Sequence, residues 1–149
     1  MQKAKIQRER YTRTVNVTTV SSAEALEDFA ENLARSLEPG QVLILDGVMG
    51  AGKTTFTKGL ALGLGFMGEV TSPTYTYIHE YPTPKGTLAH IDAYRLEPKS
   101  RLWQMGLDEL LERSVLTVIE WGLEFVADLE SPLIVRLEVV AEGRRIVMG

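Results

Sequence analysis

Gln41-Val42-Leu43-Ile44-Leu45-Asp46, running straight into Gly47-Val48-Met49-Gly50-Ala51-Gly52-Lys53-Thr54, is the stretch from which the fold is read. Four consecutive apolar residues between Gln41 and Asp46 predict a short strand buried on both faces, as in the centre of a parallel sheet. The eight residues after it match the phosphate-binding loop pattern G-x4-G-K-[ST]. Each fixed position has a physical task. The glycines allow backbone conformations that turn successive N–H groups inward onto phosphate oxygens. The helix that follows adds unpaired N–H groups and its dipole. Lys53 reaches the β- and γ-phosphates, and the Thr54 hydroxyl is a Mg²⁺ ligand. The helix is expected to start near Lys53 and to run to about Leu64, closed by Gly65. Strand before and helix after are the context that the motif requires, so the chain is expected to bind a nucleotide.

Working outward, residues 12–20 are rich in Val and Thr and read as a first strand. Ser21 and Glu24 have capping-box spacing, and Ala25, Leu26, Phe29, Leu33 and Leu37 then recur at helical intervals. Pro39-Gly40 ends that helix. Beyond the glycine-rich segment, residues 74–81 alternate like a strand, 82–86 form a turn, and 87–92 (TLAHID) form another strand. Residues 96–113 read as one or two short helices interrupted near Gly106. Residues 116–120 (LTVIE) repeat the buried-strand pattern and end in an acid. Residues 133–140 and 145–148, joined across Glu142-Gly143, read as a hairpin. Strands alternating with helices predict an α/β, P-loop NTPase-like fold. Its central sheet is largely parallel and flanked by helices, with an antiparallel hairpin at the C-terminal end. One domain is expected over 12–149, preceded by a basic arm over 1–11.

The composition fits that reading. The chain has 149 residues, 44% hydrophobic and 24% charged, with a formal net charge of −4. A net acidic balance argues against strong stand-alone nucleic-acid binding, which usually needs a basic face. The sequence contains no cysteine, which excludes disulfides and thiol chemistry and fits a cytoplasmic protein. No apolar run approaches the length of a membrane span, and no apolar segment follows the basic residues Lys3, Lys5, Arg8, Arg10 and Arg13.

A phosphate-binding loop needs a carboxylate opposite it to hold Mg²⁺ and to orient the attacking water. Such groups sit at the carboxyl ends of strands in doubly wound sheets. Glu120, ending LTVIE, is the first candidate and Asp92, ending TLAHID, the second. Asp46 also ends a strand, but it stands at the entry of the loop and reads as local structure. His90 precedes Asp92 by two and reads as a hydrogen-bonded structural histidine. Tyr94 and Arg95 either place a cation near the phosphates or brace Asp92. Trp121 reads as a packed aromatic, with a role beside the nucleotide or a partner as the second possibility.

Taken together, GVMGAGKTT (from Gly47), SPTYT (from Ser72), HIDAYRL (from His90) and IEW (from Ile119) resemble the bacterial TsaE (YjeE) family. That family is the ATPase component of tRNA threonylcarbamoyladenosine (t6A) biosynthesis. The resemblance runs in order over nearly the whole chain, to the GRR that starts at Gly143. It implies that the chain binds ATP or ADP with Mg²⁺ and hydrolyses ATP slowly alone. It also implies action on a complex of two partner proteins, TsaD and TsaB, which modifies an adenosine beside the anticodon, so that tRNA is met indirectly. Thr54 and Glu120 match the family's Mg²⁺ positions and Asp92 the acid of H-x-D-x-Y-R. Ser72 to Thr76 match a switch-like loop. Ser22, the stretch Trp121-Gly122 and Gly143 match the surroundings of the base. The catalytic set expected is therefore Lys53, Asp92 and Glu120, with the water assigned to either acid. The nucleotide set is Gly47, Gly50, Ala51, Gly52, Lys53, Thr54, Thr55, Ser22, Trp121, Gly122 and Gly143. Glu124 comes one position later than the matching acid in many members.

Two other functions use the same cradle. A small-molecule kinase would need an arginine-bearing lid, for which Arg95, Arg101 and Arg113 are the available residues, but no lid insertion is visible. A nucleotide-binding module without catalysis would be indifferent to Glu120→Ala.

Overall fold

The run at 41–46 forms a strand, β2 (Gln41–Asp46), with Leu43, Ile44 and Leu45 fully buried. Everything else is arranged around it in this computed structural model, which describes residues 15–73 and 77–149. Before it come β1 (Asn16–Val20) and α1 (Ala23–Ser36); after it come α2 (Lys53–Gly63), β3 (Ile78–Thr83) and β4 (Gly86–Asp92). Two short helices, α3 (Arg101–Gln104) and α4 (Leu107–Arg113), lead into β5 (Ser114–Glu120). A 3₁₀ turn (Leu123–Asp128), β6 (Leu133–Val140) and β7 (Gly143–Met148) complete the order. The strands form one sheet in the order β1-β7-β6-β2-β5-β4-β3. Its centre is parallel, with β2 between β5 and β6 and β4 beside β5. Both flanks are antiparallel: β3 on β4 at one side, β7 on β6 and β1 on β7 at the other.

Alternation along the strands divides the core into two layers. Leu43 and Leu45 face α1 and α2, packing with Leu26, Ala30, Phe56, Leu60, Val118 and Leu137. Val42 and Ile44 face the other way, packing with Ala89, Ile91, Leu102, Leu110, Ile119 and Phe125. Helices therefore cover both faces, and the carboxyl ends of β2, β4 and β5 open at the same edge. Helices α1 and α2 cross closely because α2 presents Gly59 and Gly63 to Ala30 and Ala34; a Cβ on either glycine would lie within 2.8 Å of the facing alanine Cβ.

The α/β architecture with its mainly parallel centre and terminal hairpin agrees with the expectation from sequence, and several details differ. The cap of α1 is Ser22, not Ser21: Ser22 is extended and its hydroxyl accepts from the Ala25 N–H at 3.0 Å. The strand expected over 74–81 is instead β3, which starts at Ile78 and ends two residues beyond the expected end. It runs through Pro82, read from sequence as turn, because β3 is an edge strand where a missing N–H costs no ladder bond. Residues 74–76 and the arm over 1–11 lie outside the described residues, as do the first residues of the strand expected from residue 12. Gly106, at φ +91°, separates α3 from α4 as expected. Among the described residues, no helix is long and apolar enough to cross a membrane.

Candidate functional site

The loop between β2 and α2 curls over the carboxyl end of the sheet. Gly52 adopts φ +107°, in the left-handed region that favours glycine, and caps α2 without any side-chain hydrogen bond to the helix's free N–H groups. The first helical bond runs from the Phe56 N–H to the Gly52 carbonyl, so the N–H groups before it have no partner within the helix. Gly47 has no space for a side chain: a Cβ there would lie 2.9 Å from the Leu137 carbonyl oxygen and 3.2 Å from the Ala51 Cβ. Ala51 is buried, and its N–H donates to the Val48 carbonyl.

A cleft of about 390 Å³ opens above this loop. Met49, Gly50, Gly52, Lys53, Thr54 and Thr55 line it from the loop side; Ser72, Asp92, Tyr94, Glu120 and Trp121 line it from the opposite side. Asp92 and Glu120 stand side by side in the β4/β5 register, which brings both acids to the same edge. The Asp92 carboxylate accepts from the Tyr94 N–H at 3.0 Å, while Glu120 is buried and paired with the His90 ring. The ammonium of Lys53 donates to the Gly47 carbonyl at 2.7 Å and lies 4.0 Å from the centre of the Trp121 ring. Burial pushes the Lys53 pKa below its ordinary value, against the opposing pull of Glu120, Asp92 and Asp46. Asp46 itself pairs with Arg136 at 3.0 Å, in keeping with its reading as local structure. Trp121 has φ +59°, turning the chain sharply after Glu120 and laying its ring against Tyr94, centroids 4.8 Å apart.

A second cleft, of about 320 Å³, shares Gly50, Gly52 and Thr55 with the first and continues past Ser21, Ser22, Leu26, Gly143 and Arg144. Ser22 and Gly143, expected beside the base, thus meet here from opposite ends of the chain. Trp121, expected in the same group, lines the first cleft and not the second. Gly122 lines neither cleft and packs against Ile119 and Ile44. Of the loop SPTYT, Ser72 and Pro73 are described; Ser72 lines the first cleft.

Arg144 is the residue that the sequence reading passed over. From the start of β7 its guanidinium donates to the carbonyls of Ala51 at 3.0 Å and Gly50 at 3.3 Å, and to its own neighbour Gly143 at 2.9 Å. It braces the loop from behind. The GRR run was the available signal, but only the pairing of β7 with β1 and β6 shows which arginine faces the loop.

The residues present fit a nucleotide with Mg²⁺. The loop offers a side-chain-free cradle and an uncapped helix end for an anion. The side chains that could hold a metal, Thr54 and Glu120, offer oxygen, the hard donor that Mg²⁺ prefers, with Asp92 beside them. Among the described residues no three His, Cys, Asp or Glu side chains cluster as a self-sufficient metal site. That suits an ion held by one or two protein oxygens together with phosphates and water.

Comparison with known proteins agrees with this geometry. The family model described as "Threonylcarbamoyl adenosine biosynthesis protein TsaE" matches residues 20–146. The tRNA threonylcarbamoyladenosine biosynthesis protein TsaE of Treponema pallidum is 40% identical over 125 residues, covering 83% of this chain and 92% of that protein. Its counterpart in Bacillus subtilis is 44% identical over 110 residues, covering 74% and 65% respectively. The crystal structure of Bacillus subtilis YdiB superposes with a TM-score of 0.71 at 32% identity, covering 92% of this chain and 87% of that one. With the family model spanning β2 to β6 and most of β7, the chain belongs to the TsaE family.

Proposed function

We propose that this chain is a cytoplasmic, Mg²⁺-dependent ATP-binding and ATP-hydrolysing accessory protein required for the t6A modification of tRNA. In this reading it acts on a complex of TsaB and TsaD and meets tRNA only through that complex. The observation that carries the proposal is the convergence of Lys53, Thr54, Asp92 and Glu120 in one cleft over a glycine cradle. The TsaE names of its relatives supply the pathway.

Phosphoryl transfer asks the protein mainly for position and charge. Backbone N–H groups of residues 50–55 and the Lys53 ammonium hold the phosphates, Lys53 exchanging its bond to the Gly47 carbonyl for a phosphate oxygen. Thr54 and Glu120 would hold Mg²⁺, which when bound neutralises charge on the phosphoryl oxygens. Asp92, with one oxygen fixed by the Tyr94 N–H, accepts a hydrogen bond from the attacking water and aligns it. Ser22 and Gly143 border the base. The test is ATP turnover by the purified chain, alone and with a TsaB–TsaD pair. Weak turnover that rises with the pair supports the proposal. Turnover indifferent to the pair removes the accessory role, and a phosphorylated acceptor in place of free phosphate would make the chain a kinase.

A further inference from the structure

His90 is fully buried, and its polar contact is with one group in the site. It lies on β4 opposite Val118 of β5, and Asp92 lies opposite Glu120. Residues two apart on a strand share a face. His90, Asp92 and Glu120 are thus on the face that packs against α2, with His90 one step deeper than the acids. The His90 Nε2 is hydrogen-bonded to Oε2 of Glu120. Its Nδ1, equally buried, has no partner among the described residues. An ionised carboxylate only accepts, so in this bond the Nε2–H of the imidazole donates to Glu120. The side-chain partner of the ring is thus Glu120.

We infer that His90 is a positioning residue: it clamps Oε2 of Glu120 and so presents the remaining oxygen, Oε1, to the cleft as a Mg²⁺ donor. The inference rests on the nucleotide reading proposed above. A glutamate has three side-chain torsions, and a carboxylate with both oxygens free could turn either one, or neither, to the cleft. Fixing one oxygen to a buried ring removes that freedom before the ion arrives. Groups that orient a metal ligand typically change metal affinity or activity by about 10–100-fold when removed.

The experiment measures ADP affinity without Mg²⁺, and the Mg²⁺ affinity of the ADP-loaded protein, in the full chain and in His90→Phe, His90→Asn and His90→Gln. Glutamine places a donor close to the imidazole Nε2; asparagine falls short of it; phenylalanine fills the space without a donor. The expected result is Mg²⁺-free ADP affinity within about twofold of wild type in all three. Mg²⁺ affinity should fall about 10–100-fold in the Phe and Asn variants and recover in the Gln variant. ATP turnover should follow the Mg²⁺ affinity. Wild-type Mg²⁺ affinity in a folded Phe or Asn variant would overturn the inference. So would a parallel loss of Mg²⁺-free ADP binding and thermal stability that glutamine does not restore, since that marks a structural histidine. Should the Phe variant not fold, the Asn and Gln pair decides by itself. Failure of the wild-type chain to bind ADP would remove the nucleotide reading, and this inference with it.

Discussion

Replacing Gly59 by alanine sets helix propensity against packing, and the structure decides the sign. In an isolated helix alanine would favour α2 by about 1 kcal/mol. Here the new Cβ would lie 2.2 Å from the Glu27 carbonyl oxygen and 2.8 Å from the Ala30 Cβ. The obstacle is the backbone of α1, which cannot rotate aside as a side chain can. To restore ordinary contact α1 and α2 must part by roughly 1 Å, a gap that forfeits about a quarter to a half of the dispersion energy between facing atoms. Leu26, Phe56 and Leu60 are buried in the cluster that would loosen. Overpacking typically costs about 1–3 kcal/mol, and a backbone clash belongs at the upper end. Subtracting the propensity gain leaves a net destabilisation of about 2 kcal/mol. With a urea m-value of about 1–3 kcal/mol/M, the midpoint should drop by about 1 M. Urea unfolding followed by far-ultraviolet circular dichroism reads this directly. A midpoint equal to or above that of the wild type would refute the close crossing of the two helices.

Three more outcomes follow from the site. Lys53→Met should abolish tight ADP binding while changing how stability varies with alkaline pH. The folded pKa of Lys53 lies below its unfolded value, so wild type bears the full cost of the buried charge at low pH. Stability then rises as pH climbs through the folded pKa towards 10.5, because the folded state releases its proton first. The Met variant should lack that rise; identical pH profiles in urea unfolding would contradict the burial of the ammonium. Arg144→Met removes the brace behind Gly50 and Ala51 and should weaken ADP binding about tenfold, a change of about 1.4 kcal/mol readable by calorimetry. Unchanged affinity would show that the loop holds its shape unaided. Finally, ADP should draw Lys53 off the Trp121 ring and alter Trp121 fluorescence in a Trp103→Phe background; constant emission at saturating ADP would count against that movement.

The parts of the fold that could be read from sequence are those determined locally. QVLILD and LTVIE show their burial as mainly apolar runs, and the proposed phosphate cradle is contiguous, so its residues are spelled out between Gly47 and Thr54. Glu120 and Asp92 could be selected because strand carboxyl ends share an edge. What escaped depends on register and neighbours. Pro82 was read as turn because proline cannot serve a central strand, and only the sheet order shows β3 to be an edge. Ser21 and Ser22 are equivalent in composition, and the extended backbone of Ser22 chooses between them. The 3₁₀ turn at Leu123–Asp128 is too short to establish a period. The bonds from Arg144 to the loop and from His90 to Glu120 join residues far apart in sequence, and no spacing rule reaches across such intervals.

The placement of β7 between β1 and β6 carries a consequence for the order of events in making the protein. Asn16 pairs with Met148 and Val20 with Arg144, so β1 waits for β7, far along the chain. Pairings across so long an interval carry a large loop-closure entropy and form slowly. The wall of the second cleft, from Ser22 to Arg144, does not exist until they close. A growing chain still lacking β7 would carry the whole phosphate motif and yet offer no finished seat for a nucleotide. Ligand that binds only the closed sheet then draws the folding equilibrium towards it by mass action. On the nucleotide reading proposed above, occupancy would thus report that β7 has taken its place in the sheet.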